Sequence, residues 1–189
     1  MRLMAAGLVA SVVILAACEK KPVAMTIEPT ALLPFERKGK TAQLKAQLKD
    51  DRGIFVATAK PSWESSDPSV ATVDDTGLIT AAGTGKANIT GTQDGISASV
   101  PVDVKIVGTV EITPKDPQKL RMRKDLKLTV VVKDDRGNVL AGEKIRFKTA
   151  GYAIDVDPEG LVHAQAVGES SVIAQAGDKE ARLLFTVTD

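Results

Sequence analysis

The feature that most constrains this chain is a five-residue motif that occurs twice. Lys-Asp-Asp-Arg-Gly stands at residues 49–53 and again at residues 133–137, an offset of 84. Other residues recur at nearly the same offset, namely Trp63 with Phe147, Gly77 with Gly160, and Gly85 with Gly168. A repeat of this length is that of a whole domain, because solenoid repeats have periods of roughly 20–50 residues. The sequence therefore predicts two homologous domains in tandem, at residues 23–106 and 107–189.

Within each copy, hydrophobic residues alternate with polar ones. The alternation covers residues 44–48, 98–104, 126–132 and 181–187. A period of two is typical of half-buried antiparallel strands, and turn residues separate the short runs at about 8–12-residue spacing. The pattern predicts an all-β chain of two antiparallel β-sandwiches with about seven strands each, and with Trp63 and Phe147 as large core residues. Over residues 98–112 the alternation has no obvious turn, so we expect one domain to run directly into the next.

The N-terminal residues have the features of a targeting signal and of a membrane anchor. Residues 1–17 begin with Met and Arg and continue as an apolar run too short to span a bilayer, which predicts a cleaved signal peptide. Leu15, Ala16 and Ala17 precede Cys18, the only cysteine. This tetrapeptide resembles the lipobox of bacterial lipoproteins, which implies cleavage before Cys18 and its acylation. The alternative is an ordinary signal peptide with a fortuitous cysteine.

Lipidation would make residues 18–22 an acylated cysteine and a short tether. Two or more acyl chains hold a protein stably on a membrane. Glu19 follows the cysteine, and resemblance to enterobacterial lipoproteins then implies the outer membrane of a Gram-negative bacterium.

Three segments of the first copy carry a more specific resemblance. Residues 63–73 read Trp-Glu-Ser-Ser-Asp-Pro-Ser-Val-Ala-Thr-Val, and Gly-Leu-Ile-Thr-Ala and Gly-Lys-Ala-Asn-Ile follow at 77–81 and 85–89. They resemble the group 2 bacterial immunoglobulin-like domain. The second copy is degenerate, since Phe147 replaces the Trp while Gly-Leu-Val-His-Ala keeps the hairpin at 160–164. The resemblance implies immunoglobulin-like sandwiches with envelope interactions, often adhesion.

Composition excludes several classes of function. Lys and Arg number 25 against 24 Asp and Glu, and this balance lacks the basic footprint of a nucleic-acid-binding protein. One His and one Cys cannot assemble a zinc site, and a nucleophile, a base and an orienting residue cannot be grouped around a single His163. We therefore predict no enzyme activity and no cofactor, and we expect His163 to lie on the surface.

Two glycine-containing motifs have a functional and a structural interpretation. The Asp-Asp-Arg-Gly motifs would offer carboxylates to calcium, but a β-turn in which Asp bonds its own backbone and Gly takes a positive φ is sufficient to explain them and is favoured. Gly-Thr-Gly-Lys at 83–86 superficially resembles a phosphate-binding loop, yet Ala87 follows the Lys and a strand is expected, so a hairpin turn is favoured.

Basic residues recur at one position of each module. Arg121, Arg123 and Lys124 in the second copy match Arg37, Lys38 and Lys40 in the first. The three in the second copy are candidates for contact with an anionic group or a partner. The alternative is a charged strand edge that opposes aggregation.

Together these patterns predict a lipid-anchored cell-envelope protein whose immunoglobulin-like modules serve non-catalytic binding or adhesion. The membrane is contacted through the N-terminal lipid, and the partner is a protein or a glycan rather than a nucleic acid. The alternative function is a periplasm-facing structural scaffold or assembly accessory that tethers another envelope protein.

Overall fold

The computed structural model describes residues 22–189, and within them all regular secondary structure is β-strand. The predicted signal peptide and the lipobox residues Leu15, Ala16, Ala17 and Cys18 lie outside the described residues. Residues 22–189 contain no helix that is long and apolar enough to cross a membrane. The all-β prediction is confirmed, and the strands form two immunoglobulin-like sandwiches.

The first sandwich contains three small antiparallel sheets. Their strand orders are β1-β3-β4, β5-β8-β9 and β2-β7-β6. The strands are β1 (Ala24–Glu28), β2 (Thr41–Gln43), β3 (Lys45–Lys49), β4 (Phe55–Thr58), β5 (Ser62–Ser65), β6 (Ala71–Val73), β7 (Leu78–Ala81), β8 (Gly85–Gln93) and β9 (Ile96–Val104). The longest pairing is the β8–β9 hairpin, whose register runs from Gly85 opposite Val104 to Gln93 opposite Ile96.

The second sandwich repeats this plan. Its sheets have the orders β10-β13, β11-β18-β17-β14 and β12-β16-β15. The strands are β10 (Val107–Thr113), β11 (Gln118–Arg121), β12 (Asp125–Lys127), β13 (Thr129–Asp134), β14 (Arg146–Gly151), β15 (Ile154–Val156), β16 (Leu161–Ala164), β17 (Gly168–Ala176) and β18 (Lys179–Thr188). All of these pairs are antiparallel except β11 with β18, which is parallel.

Each described sandwich has nine strand segments rather than the seven expected from the turn spacing. One of the two additional segments arises where an extended stretch leaves one sheet for another. Only Leu44 separates β2 from β3, and only Leu128 separates β12 from β13. Both leucines are buried, because a strand that crosses between sheets turns that side chain into the core.

The alternating residues form the cores, as predicted. Leu44, Ala46 and Leu48 are buried, and Val100, Val102 and Val104 are buried on the strand that closes the first sandwich. Burial of a large aliphatic side chain contributes about 1.5–3 kcal/mol, so these runs dominate the stability of a chain with few aromatic residues.

The large aromatic core residues are not those predicted. Trp63 and Phe147 are only half-buried and pack against the margin of their cores. Phe35 and Phe185 lie at the centres instead, with 2% and 1% of their surface exposed. The prediction was wrong because Trp63 stands on β5 and Phe147 on β14, which are edge strands with a neighbouring strand on one side only.

The junction between the sandwiches is short, as the uninterrupted alternation indicated. Lys105 and Ile106 are the two residues between β9 and β10. One cluster of buried residues extends from Met25 to Ile106, and a second begins at Val107. The chain thus passes from one core into the next within a single peptide bond.

Candidate functional site

The repeated Lys-Asp-Asp-Arg-Gly segments are β-turns, as one of the two interpretations predicted. In the first, Asp50 Oδ1 accepts hydrogen bonds from the N–H groups of Arg52 at 3.0 Å and Ile54 at 2.8 Å. In the second, Asp134 Oδ1 accepts the equivalent bonds from Arg136 at 2.9 Å and Asn138 at 2.8 Å. In residues 22–189, no three acidic, His or Cys side chains form a group that could hold a metal ion.

The two turns differ in what they contact. Arg52 pairs within its own turn, with Asp50 at 3.3 Å. Arg136 instead reaches the first sandwich, where its Nη2 donates to the Ser69 carbonyl at 3.2 Å and to Ser69 Oγ at 3.0 Å. Asp135 accepts a hydrogen bond from the Thr84 N–H at 3.1 Å. These contacts join the two sandwiches. We call the turn at residues 133–137 the plug of this joint, and the loops that contain Ser69 and Thr84 its socket.

The loop at residues 83–86 is not the hairpin turn that the sequence favoured. Gly83 and Thr84 lie in the connection from β7 to β8, Gly85 and Lys86 begin β8, and the two strands belong to different sheets of the sandwich. A Cβ on Gly83 would lie 2.8 Å from the Ser69 carbonyl and 3.3 Å from Asp135 Oδ2, so the loop needs glycine to admit the plug. The Thr84 hydroxyl also accepts the Ile106 N–H at 2.9 Å, which fixes the linker to the same loop.

A carboxylate at the rim of the socket is held in its charged form. The Ser69 hydroxyl and the Ser69 N–H both donate to Asp67 Oδ1, at 2.7 and 2.9 Å. These two bonds hold the pKa of Asp67 below its ordinary value, and the Arg136 charge lowers it further by a smaller amount. The socket therefore presents negative charge to the arginine of the plug.

The equivalent socket of the second sandwich lies at its far end and has different side chains. The N–H groups of Ala82 and Gly83 bond the Val70 carbonyl, and those of Gln165 and Ala166 bond the Ala153 carbonyl in the same pattern. This match aligns Tyr152 with Ser69 and Val167 with Thr84. Tyr152 is 72% exposed and Val167 is 46% exposed. In the first sandwich the socket is polar and is occupied by the turn at 133–137. At the equivalent place in the second sandwich there is an open surface with apolar groups.

The predicted basic residues lie in one turn at this far end. Lys124 N–H bonds the Arg121 carbonyl at 3.1 Å, and Arg123 N–H bonds the Ala164 carbonyl at 2.8 Å. Met122, which is 37% exposed, bonds the carbonyl of Thr188 at the end of β18. We call this end of the second sandwich the distal tip, defined by Arg121, Met122, Arg123, Lys124, Tyr152 and Val167. The acidic residues Glu169 and Asp189 flank it.

The turn of the distal tip contains a strained residue. Arg123 has a φ of +64°, and Gly39 occupies the same turn position in the first sandwich with a φ of +77°. The hydrogen bonds match, since Lys40 N–H bonds the Arg37 carbonyl and Gly39 N–H bonds the Ala81 carbonyl. A non-glycine residue in this region costs about 1 kcal/mol or more, so an arginine here departs from what folding alone favours.

His163 lies on the surface, as predicted. Its Nδ1 is 3.0 Å from Asp125 Oδ1, and both side chains are substantially exposed.

The first sandwich is similar to a known family of domains. Residues 24–104 match the family model of the bacterial Ig-like domain (group 2). Ice-binding protein 1 of Shewanella frigidimarina is 27% identical over 158 residues, which cover 80% of this chain and 18% of that protein. Lacto-N-biosidase of Bifidobacterium bifidum is 46% identical over 69 residues, which cover 36% of this chain and 6% of that enzyme. The chain thus spans only a small part of the length of either relative.

Solved structures with similar strands include surface proteins. Domains 4 and 5 of the S-layer protein SbsC match with a TM-score of 0.39 and 18% identity, over 88% of this chain and 97% of that one. The Escherichia coli adhesin FdeC matches with a TM-score of 0.45 and 17% identity, over 88% of this chain and 63% of that one. The match to the family model of the bacterial Ig-like domain (group 2) covers residues 24–104, which are those of the first sandwich.

Proposed function

We propose that this chain is a lipid-anchored protein of the bacterial cell envelope that presents the distal tip of its second sandwich to a protein or glycan partner. Acylated Cys18, preceded by Leu15, Ala16 and Ala17, attaches it to the outer membrane. The proposed function is non-catalytic, and the residues proposed to contact the partner are Arg121, Arg123, Lys124 and Tyr152.

The observation that carries this proposal is the contrast between the two sockets. In the first sandwich, Ser69 and Thr84 hold the next domain through direct hydrogen bonds. In the second, Tyr152 and Val167 stand at the same backbone positions and face solvent. Exposed aromatic side chains with neighbouring arginines are typical of binding surfaces, because both groups contribute strongly when a partner removes them from water.

The strained backbone of Arg123 also supports the distal tip as the surface that contacts the partner. Gly39 makes the corresponding turn in the first sandwich without steric cost. An arginine retained where glycine is favoured is best explained by a contact that the guanidinium makes outside the chain.

The anchoring part is tested by fractionating cells that express the chain or Cys18→Ser. We expect the natural chain in the membrane fraction, and the variant as unprocessed precursor that has lost its lipid-dependent attachment. A processed Cys18→Ser chain that fractionates like the natural one would exclude the lipobox.

The orientation is tested by protease digestion of the second sandwich on intact and permeabilised cells. Digestion on intact cells would support presentation of the distal tip to the exterior. Protection until permeabilisation would favour the scaffold that faces the periplasm and tethers another envelope protein.

The binding part is tested by comparing Arg121→Gln with Arg37→Gln, which removes the same charge from the equivalent turn of the first sandwich. If digestion shows exterior presentation, we expect only Arg121→Gln to reduce adhesion of cells to protein- or glycan-coated surfaces. Equal adhesion by both variants and by the natural chain would exclude Arg121 from the contact surface.

A further inference from the structure

An exposed apolar patch lies at the end of the first sandwich where the described chain begins. It consists of Val23, Ile54 and Phe55, which have between 48% and 54% of their surfaces exposed. Val23 N–H bonds the Lys49 carbonyl at 2.9 Å, and Phe55 pairs with Lys49 from the other side. The Ile54 carbonyl accepts the Asp50 N–H at 2.9 Å. The three side chains therefore lie at one end of the β1-β3-β4 sheet, and we call them the N-terminal patch.

The second copy shows that the turn does not require apolar residues at this place. The backbone hydrogen bonds of the two Lys-Asp-Asp-Arg-Gly turns match, and they align Ile54 with Asn138 and Phe55 with Val139. Asn138 Nδ2 also donates to Asp134 Oδ2 at 3.2 Å, a hydrogen bond that an isoleucine cannot make. The exposed isoleucine and phenylalanine of the first copy are therefore not explained by the needs of the turn.

The two equivalent turns also have different surroundings. In the second sandwich, Asp135 and Arg136 bring the turn against the first sandwich. In the first sandwich, Arg52 pairs with Asp50 of its own turn, and the sequence leads from this end back to Cys18. A surface that covers the N-terminal patch is therefore to be sought on the side of the membrane anchor.

The length of chain before Val23 brings this end close to the bilayer. This step rests on the proposed acylation of Cys18, because residues 19–22 are the only ones between that cysteine and Val23. Five residue steps span at most about 17 Å when fully extended. The headgroup region of one leaflet is about 5–8 Å thick, so the anchor keeps Val23 within about 10 Å of the headgroups.

Charge in the adjacent turn does not select an anionic surface. Lys49 and Arg52 are balanced by Asp50 and Asp51, and the Arg52 guanidinium lies 3.3 Å and 4.0 Å from these two carboxylates. The force available to the patch is therefore the removal of apolar side chains from water. Side chains that enter the boundary between headgroups and acyl chains are typically aromatic and aliphatic, as these are.

From these features we infer that the N-terminal patch inserts into the interface of the bilayer that anchors the chain. The side chains of Val23, Ile54 and Phe55 enter the boundary between headgroups and acyl chains. This contact restricts how the first sandwich tilts on its tether, and with it the direction in which the second sandwich points.

The experiment measures contact between position 55 and the acyl chains. Trp63, the only tryptophan, is replaced by Phe, which the second copy has at the equivalent position, and Phe55→Trp then supplies the only indole. The full chain is reconstituted through its lipid into phosphatidylcholine vesicles with or without brominated acyl chains. We expect bromine to quench the emission about twofold or more, since interfacial side chains lie about 5–10 Å deep. Val139→Trp in the same background is the matched control and should keep its emission. An unquenched indole at position 55 would overturn the inference.

A second reporter distinguishes contact from mere proximity. Ala24 is exposed and lies opposite Lys49, so Ala24→Trp reports on the same end while the patch stays intact. Adding Ile54→Asn and Phe55→Val installs the residues of the second copy and should reduce the quenching severalfold. Unchanged quenching would mean that the tether alone holds the sandwich near the lipid, and the inference would fail. It would also fail if high salt abolished the quenching, because salt screens charge and not apolar contact.

Flotation with the vesicles distinguishes failure of the contact from failure of the anchor. A natural chain that floats but shows no quenching at position 55 keeps the proposed anchor and loses the contact. A natural chain that does not float contradicts the anchor, and its only cysteine, Cys18, can then be coupled to a maleimide phospholipid to give a tether of the same length. Quenching in the coupled chain would support the contact, and its absence would overturn it.

Discussion

The joint between the sandwiches depends on two neighbouring residues, and their removal should release it. Arg136 donates to the carbonyl and hydroxyl of Ser69, and Asp135 accepts from the Thr84 N–H. A charge-assisted contact at an exposed position contributes about 1 kcal/mol. Loss of both contacts therefore removes about 2 kcal/mol from the docked arrangement, which raises the ratio of undocked to docked molecules by about thirtyfold.

The measurement is the relative order of the two sandwiches in solution, from residual dipolar couplings of backbone amides. In the natural chain we expect one alignment tensor to describe both sandwiches. In the double variant Asp135→Ala with Arg136→Ala, the tensors should diverge while each sandwich keeps its own internal couplings.

The repeat supplies a matched control. Asp51→Ala with Arg52→Ala removes the same two side chains from the same kind of turn, but this turn is remote from the socket, and Arg52 pairs with Asp50. We expect one common tensor in this control. A common tensor in the Asp135 and Arg136 variant as well would refute the reasoning, and the joint would then depend on the short linker and the Thr84 hydroxyl alone.

Three further outcomes follow from the geometry. Gly77→Ala should lower the free energy of unfolding, measured by urea titration, by about 2–4 kcal/mol, because the φ of Gly77 is +80° and the added Cβ would meet Trp63. Gly95→Ala is the control, since Gly95 has a φ of +78° but open space around it, and it should lower the free energy of unfolding by about 1 kcal/mol. Arg123→Gly should raise the free energy of unfolding by about 0.5–1 kcal/mol in the same assay, because it relieves a φ of +64°, and an unchanged midpoint would contradict this. The Ile54 N–H holds the pKa of Asp50 below its ordinary value, so the stabilisation from this carboxylate is present above about pH 4 and is lost as pH falls through the folded-state pKa. Urea midpoints of the natural chain should drop more steeply below pH 4 than those of Asp50→Asn.

The strands and the cores could be predicted because they depend on a local pattern. Alternation at residues 98–104 places every second side chain on one face, and burial of that face follows without knowledge of the partner strand. The sheet changes at Leu44 and Leu128 could not be predicted in this way. A residue at which a strand leaves one sheet for another is hydrophobic like its neighbours, so the alternation passes through it unbroken.

Most of the candidate sites depend on contacts that local sequence does not encode. The turns at 49–53 and 133–137 have identical sequences, yet only the second reaches the Ser69 and Thr84 loops of the other sandwich. Tyr152 gave no signal on its own, because it stands where the family motif has decayed. The offset between Gly77 and Gly160 already places Tyr152 opposite Ser69. Only the structure shows that Ser69 contacts the other sandwich and that Tyr152 is exposed.

Comparing equivalent positions of the two copies distinguishes the residue types that the fold requires from those that it merely tolerates. Val70 and its counterpart Ala153 are both buried and aliphatic, since close packing excludes a polar or bulkier side chain at either position. Exposed loop positions carry little such penalty, and most substitutions there alter stability by less than about 0.5 kcal/mol. A change from Ser69 to its counterpart Tyr152 is therefore permitted by the fold without being required by it. Replacing glycine by Arg123 at a positive φ goes further, because that change opposes the fold. Both differences lie at the distal tip, and they are the reason why we propose that this end of the second sandwich contacts a partner.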